Sequence, residues 1–256
     1  MVQNTNGGLQ GTPCWYELMT PDLVRAQSFY ADLFGWSIAD SGMPGIDYRL
    51  ATADQTMVAG LMAPPDADMP RFWMIYFAVD DADATARAAV AAGGTVHKGP
   101  EDIPGVGRFA VLTDPQGAAF AILQPNPGGL GGAFAPRKPG HGQWNELRSA
   151  DPEAALAFYG KLFGWTVSRQ MDMGPLGVYR ILRHGETEIG GLFRPEPGTP
   201  SHWLPYFGTS SVGQATERIK SGGGKPLRDP DEVPGGAFVF QALDPQGIAF
   251  GLVGGK

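Results

Sequence analysis

Apolar residues recur along this chain in two rhythms, a helical three-and-four spacing and a strand-like alternation. Ala26, Phe29, Tyr30 and Leu33 share one face at helical spacing. Asp22 ahead of them is a capping residue type, and Gly35 behind them supplies a left-handed stop. A helix is therefore predicted over 22–34. Asp151-Pro152 opens a matching helix, since proline is harmless at the first helical position. A short alternating strand is predicted after each of Trp36 and Trp165. Residues 47–50 and 57–62 form a predicted hairpin around Ala53-Asp54-Gln55. Residues 72–79 predict another strand, 81–92 a second helix ended by Gly93-Gly94, and 95–99, 108–112 and 118–124 three further strands.

The pattern occurs twice. Trp15-Tyr16-Glu17-Leu18 returns as Trp144-Asn145-Glu146-Leu147 at an offset of 129 residues. At that offset Phe29-Tyr30 meets Phe158-Tyr159, and Leu33-Phe34-Gly35-Trp36 meets Leu162-Phe163-Gly164-Trp165. After small indels, Tyr48-Arg49 matches Tyr179-Arg180, Trp73 matches Trp203, and Asp114-Pro115-Gln116-Gly117 matches Asp244-Pro245-Gln246-Gly247. Order and spacing survive along the whole half, the signature of duplication. Each half holds two βαβββ units, giving four in all. The expected domains are 10–125 and 141–254, joined by a Gly/Pro-rich linker over 126–140 that sustains neither helix nor central strand.

Composition narrows the classes. With 43% hydrophobic and 18% charged residues the chain reads as globular. Its 38 glycines and 23 prolines imply many turns between short strands, against a helical bundle. A net charge of −7 argues against nucleic acid or anionic membrane as partner. The opening segment lacks the basic and apolar regions of a signal peptide, and no run approaches the roughly 20 apolar residues that span a bilayer. Cys14, the single cysteine, excludes an intrachain disulfide. A cytoplasmic location is expected, as monomer or homodimer. The glycines near 126–140 and at 222–224 lack the Gly-Lys-Ser/Thr ending of a phosphate loop.

The opening strand, the Asp-capped helix ending in Phe-Tyr and Leu-Phe-Gly-Trp, and the closing Asp-Pro-Gln-Gly turn resemble those of the vicinal oxygen chelate superfamily. That superfamily includes glyoxalases, bleomycin resistance proteins and extradiol dioxygenases. The resemblance covers nearly all of both halves and is nearest in style to two-domain glyoxalase-like or hydroxylase-like bacterial proteins. It implies an α+β fold in which the four βαβββ units form two open, curled eight-stranded mixed sheets with flanking helices. The family's metal acts as a Lewis acid held by His and Glu on the concave face. The resemblance places those ligand positions at Trp15 and Trp144, at Met74 and Leu204, and at Ala121 and Gly251. None of these side chains is a donor for a divalent cation. No metal and no cofactor are therefore expected. His97, His141, His184 and His202 lack metal-ligand spacing and read as exposed histidines at strand ends or in loops, with His141 and His202 the candidates for an altered metal site.

Glu17 and Glu146 lie two residues after the repeated tryptophans, so each shares a strand face with its indole. Each is a candidate catalytic base or ligand anchor, with Trp15, Trp144, Arg49 and Arg180 as candidate ligand-binding residues. The alternative is structural, with each glutamate at a strand end paired to an arginine such as Arg49 or Arg180. Trp36, Trp165, Trp73 and Trp203 read as core, and Cys14 has no evident activating base. The function expected is binding of a small neutral or cationic organic molecule in a concave sheet pocket without the usual metal ligands. Two alternatives stand beside it: a metal-dependent lyase or oxygenase with altered ligands, and a non-catalytic interaction protein.

Overall fold

The computed structural model describes residues 10–66, 68–129 and 131–256. The first half runs β1 (Pro13–Met19), α1 (Leu23–Phe34), β2 (Ser37–Asp40), β3 (Tyr48–Ala53), β4 (Thr56–Met62), β5 (Trp73–Ala78), α2 (Ala82–Ala91), β6 (Thr95–Ile103), β7 (Gly107–Thr113) and β8 (Ala119–Pro125). The second runs β9 (Gly142–Arg148), α3 (Pro152–Phe163), β10 (Thr166–Asp172), β11 (Val178–His184), β12 (Thr187–Phe193), β13 (His202–Thr209), α4 (Val212–Ser221), β14 (Lys225–Pro226), β15 (Asp231–Glu232), β16 (Phe238–Leu243) and β17 (Ala249–Gly254). Two open mixed sheets result. Their orders are β2-β3-β4-β1-β5-β8-β7-β6 and β10-β11-β12-β9-β13-β17-β16-β14, the second gaining a ninth strand where β15 pairs with β16.

Local signals act as the sequence predicts. The Asp22 carboxylate accepts from the Arg25 amide, and the Asp151 carboxylate from the Ala154 amide, satisfying donors that a helix start leaves open. Gly35 and Gly164 end their helices at φ 70° and 71°, the left-handed region where a side chain is disfavoured. Asp54 and Gln55 turn the β3–β4 hairpin at positive φ. Strand β6 runs to Ile103, beyond the predicted 95–99, because its irregular pairing with β7 continues to Gly107.

Packing groups the units differently from chain order. One compact unit comprises the described residues of 1–14 with Tyr76–Gly129 and Ser149–His202, and so holds the helices of the second and third βαβββ repeats. The other comprises Trp15–Ile75, the described residues of 130–148, and Trp203–Lys256, and holds those of the first and fourth.

In the unit of the first and fourth repeats, Tyr30, Phe34, Trp36, Trp73, Phe207 and Phe250 form one aromatic cluster, with Trp73 and Phe207 centroids 4.9 Å apart. The Trp36 indole N–H donates to the Gly140 carbonyl at 2.7 Å. In the other unit Phe77, Phe120, Tyr159, Phe163 and Trp165 do the same work, and the Trp165 N–H donates to the Gly11 carbonyl at 2.9 Å. Burying an aromatic side chain is the largest single apolar contribution a residue makes, and each buried N–H finds an acceptor. The tryptophans read as core are core: Trp36, Trp73, Trp165 and Trp203 are all buried.

Part of the predicted surface linker is anchored. Ala133 is 1% exposed, its carbonyl accepts from the Gly142 amide, and Phe134 bridges Gly142. The reading of His141 as an exposed histidine is corrected as well. It is 1% exposed, with Nδ1 bonded to the Gly132 carbonyl. A sequence shows this ring beside a glycine-rich stretch but not the segment folded over it.

Candidate functional site

On β1, alternation turns Trp15, Glu17 and Met19 to one face and Tyr16 and Leu18 to the other. Tyr16 and Leu18 are fully buried, while Glu17 is half-buried. A hydrogen-bond relay occupies the first face. The Trp15 indole N–H donates to the Tyr48 hydroxyl at 3.0 Å, and that hydroxyl donates to Glu17 Oε2 at 3.0 Å. Tyr48 comes from β3 and crosses β4 to reach the carboxylate. Gly60 lies opposite Glu17 in the β1–β4 register, and a Cβ there would stand 1.9 Å from the Tyr48 hydroxyl. A mid-strand glycine that costs strand propensity is explained by this close approach. Burial foremost, then the adjacent Glu17 charge, raises the Tyr48 phenol well above its ordinary value, so it stays protonated as a donor.

Strand β9 presents Trp144, Glu146 and Arg148 in the same alternation, with Glu146 7% exposed and Trp144 half-buried. Glu146 Oε1 accepts from Arg148 Nε at 3.2 Å and Nη2 at 3.0 Å, and Oε2 accepts from the Tyr206 hydroxyl at 3.2 Å. Gln241 Nε2 donates to the Tyr206 hydroxyl at 2.6 Å and to Glu146 Oε1 at 3.4 Å. Tyr206 and Gln241 both pair with Gly251 in register, so the missing side chain of Gly251 lets them meet above it. A Cβ on Gly251 would stand 2.3 Å from the Tyr206 ring. Burial and then the Glu146 charge push the Tyr206 phenol well up.

The expected arginine partners are elsewhere. Tyr48 and Arg49 are consecutive on β3 and point to opposite faces. Arg49 bonds Asp47 and reaches Gln27 of α1 at 2.6 Å. Arg180 pairs with Glu153 of α3. The structural alternative for Glu146 is thus met by Arg148, not Arg180, and in the first half Tyr48, not Arg49, meets Glu17. Strand parity puts the two residues of a pair on opposite faces, and the pairing of neighbouring strands decides which one meets the glutamate. The mid-strand glycines Gly60 and Gly251 mark where tyrosines cross, and Arg148 and Gln241 have no counterpart in the repeat, which holds Met19 and Val111.

At the positions where the resemblance places metal ligands, the side chains have other surroundings. The Trp15 N–H is spent on Tyr48, Met74 and Leu204 are a buried thioether and a buried hydrocarbon, and the Tyr206 ring stands over Gly251. Among the described residues no three His, Cys, Asp or Glu side chains form a group able to hold a metal ion. His97, His184 and His202 bond Thr113, Thr12 and the Pro200 carbonyl. The Cys14 thiol is buried, donates to the Tyr76 carbonyl, and is pushed far up by burial, so it is not a nucleophile.

Comparisons with known proteins agree with this architecture. Residues 14–122 and 141–252 each match the family described as Glyoxalase/Bleomycin resistance protein/Dioxygenase superfamily. The chain is 37% identical over 250 residues to "Putative glyoxylase CFP32" of Mycobacterium tuberculosis, covering 95% of each. It is 33% identical to anthracycline biosynthesis protein DnrV of Streptomyces peucetius, covering 95% of this chain and 93% of that one. In fold it resembles the Mn(II)-bound glyoxalase from Novosphingobium aromaticivorans, with a TM-score of 0.67 at 18% identity over 96% of this chain and 82% of the other.

Proposed function

The chain belongs to the Glyoxalase/Bleomycin resistance protein/Dioxygenase superfamily, and from that premise we propose that it binds a small organic molecule, neutral or cationic, through Glu17 and its neighbours. A side-chain relay makes the polar contact in place of a divalent cation. The observation that carries this reading is the chain of donors from Trp15 through Tyr48 to Glu17. An indole wall, a phenol held protonated and a half-buried carboxylate form an orienting set for a ligand with one apolar body and one donor. Relatives named for glyoxylase and anthracycline biosynthesis support a small oxygenated organic molecule as the class. A carboxylate beside a protonated phenol also has the components of a general base and its partner, should the ligand be turned over. Arg49 and Arg180, held by Asp47 and Glu153, contribute no contact to this set.

The test has two arms. Elemental analysis of the purified protein is expected to find no stoichiometric metal. About one metal per half, bound through His141, His202, Glu17 or Glu146, overturns the metal-free reading. A thermal-shift screen of small aromatic and oxygenated compounds is expected to find stabilising ligands whose effect Glu17→Gln abolishes without unfolding the protein. Ligands unaffected by that substitution overturn the assignment to Glu17.

A further inference from the structure

His141 is buried with one ring nitrogen unused. Its Nδ1 bonds the Gly132 carbonyl, which only accepts, so Nδ1 carries the proton of the neutral ring. Nε2 is then a bare lone pair, buried and without a hydrogen-bond partner among the described residues. The position itself does not demand an imidazole. Thr12 stands there in the repeat, its carbonyl accepting from the Ala78 amide as the His141 carbonyl accepts from the Gly208 amide. The Thr12 hydroxyl pairs with His184 Nδ1 at 3.3 Å. The counterpart of His184 at the β3–β4 hairpin is Ala53, which has no polar side-chain atom to offer.

The segment that closes on this ring is lightly held. Gly132 packs on Thr56 and Gly140 on Ala53 of the β3–β4 hairpin, and the Gly140 carbonyl accepts the Trp36 indole N–H. The Ala133 carbonyl and the Ala135 amide pair with Gly142, and Gln143 donates to the Lys138 carbonyl at 2.9 Å. Arg137 turns at φ 69°, a left-handed conformation that is unfavourable for a residue with a side chain. Among the described residues, the charged groups that act on the ring are Lys138 within the segment and Asp54 at the hairpin turn, themselves paired at 3.9 Å. Burial foremost lowers the ring's pKa and Lys138 adds to this, against the Gly132 carbonyl and Asp54. A second proton would sit on Nε2 as a charged donor, buried without an acceptor, which is costly. Moving the ring into water removes that cost. We propose that segment 132–141 is a proton-operated strap, closed over the β3–β4 hairpin while His141 is neutral and released when the ring is protonated. Release frees the Trp36 N–H from Gly140 and loosens the entry to β9, the strand that carries Trp144 and Glu146.

Hydrogen–deuterium exchange of the full chain, corrected for the pH dependence of intrinsic exchange, reads the strap directly. Protection over 132–142 is expected to fall about tenfold between pH 7.5 and 5.5, as an exposed histidine with the ordinary pKa near 6.5 takes up its proton. That protection is expected to stay well below the protection of β13 and β17 at both pH values, the mark of a local opening. His141→Asn keeps an amide donor toward the Gly132 carbonyl but does not titrate, so the tenfold fall is expected to disappear. In the wild-type protein, imidazole nitrogen shifts are expected to place the proton on Nδ1 at pH 7.5 and to titrate together with the loss of protection, a readout that needs no variant to fold. Strap protection unchanged with pH, or equal to that of β13 and β17, overturns the proposal. So does a folded His141→Asn protein that keeps the tenfold fall, or a neutral ring with its proton on Nε2.

Discussion

Tyr30 on α1 donates its hydroxyl to Asp244 Oδ2 at 3.1 Å across 214 residues of chain, and Tyr159 on α3 makes the counterpart bond to Asp114 Oδ2 at 3.2 Å. Each bond joins the Phe-Tyr motif of one half to the Asp-Pro-Gln-Gly turn of the other. The same aspartates hold their turns, accepting from the amides two and four residues on. Gln246 adds a second tie, accepting from the Asp22 amide and donating to the Asp22 carbonyl.

Tyr30→Phe leaves Asp244 Oδ2 without this donor and the Trp73 indole N–H without its acceptor. The expected loss is about 1–3 kcal/mol, the cost of buried groups left unsatisfied. Denaturant unfolding checks it. A double-mutant cycle with Asp244→Asn is expected to show coupling, and additive effects would refute the bond's role.

Each compact unit draws on both halves, so the halves are not expected to separate. Proteolytic cutting between 126 and 129 should yield two fragments that stay associated in size-exclusion chromatography. An isolated 10–125 fragment would expose the partners of Asp244 and Phe250 and is expected to give poor dispersion in NMR spectra. A well-folded fragment would overturn this.

Acid sensitivity has an identified source. Burial foremost lowers the pKa of His141 and His184 below the ordinary 6.5. With the folded value depressed, the unfolded chain binds protons first, so stability is whole above about 6.5 and declines as pH falls through the window below it. Asp114 and Asp244, raised by burial, act with the opposite sign in the carboxylate range. His141→Asn keeps a donor toward the Gly132 carbonyl and is expected to flatten the decline between pH 7 and 5.5. An unchanged slope would count against His141.

Gly251 leaves room that the Tyr206 ring fills. Gly251→Ala is expected to cost about 1–3 kcal/mol as an overpacked site, read as a lower melting temperature. Placing a carboxylate there with Gly251→Glu should destabilise further and recruit no metal in elemental analysis. Tyr206→Ala in the same chain should recover part of the loss from Gly251→Ala, and absence of any rescue would show that the ring is not the obstacle.

Local chemistry was legible in the residues themselves. Helix caps, left-handed glycines, hairpin turns and strand alternation depend on neighbours within a few positions, so α1, α3 and the β3–β4 hairpin appear where the pattern put them. Duplication was legible for the same reason, as was the shared face of Trp15 with Glu17. Partner choice was not. Whether Glu146 meets Arg180 or Arg148, whether Tyr48 or Arg49 faces the carboxylate, and whether His141 is covered depend on which strands lie side by side and which segment closes over them. Those contacts join residues tens to hundreds of positions apart, and periodicity carries no record of them. The identity of the repeated motifs came from sequence alone, but only packing decided that they bind each other across the halves, because a hydroxyl buried on a helix must find its acceptor wherever the fold brings one.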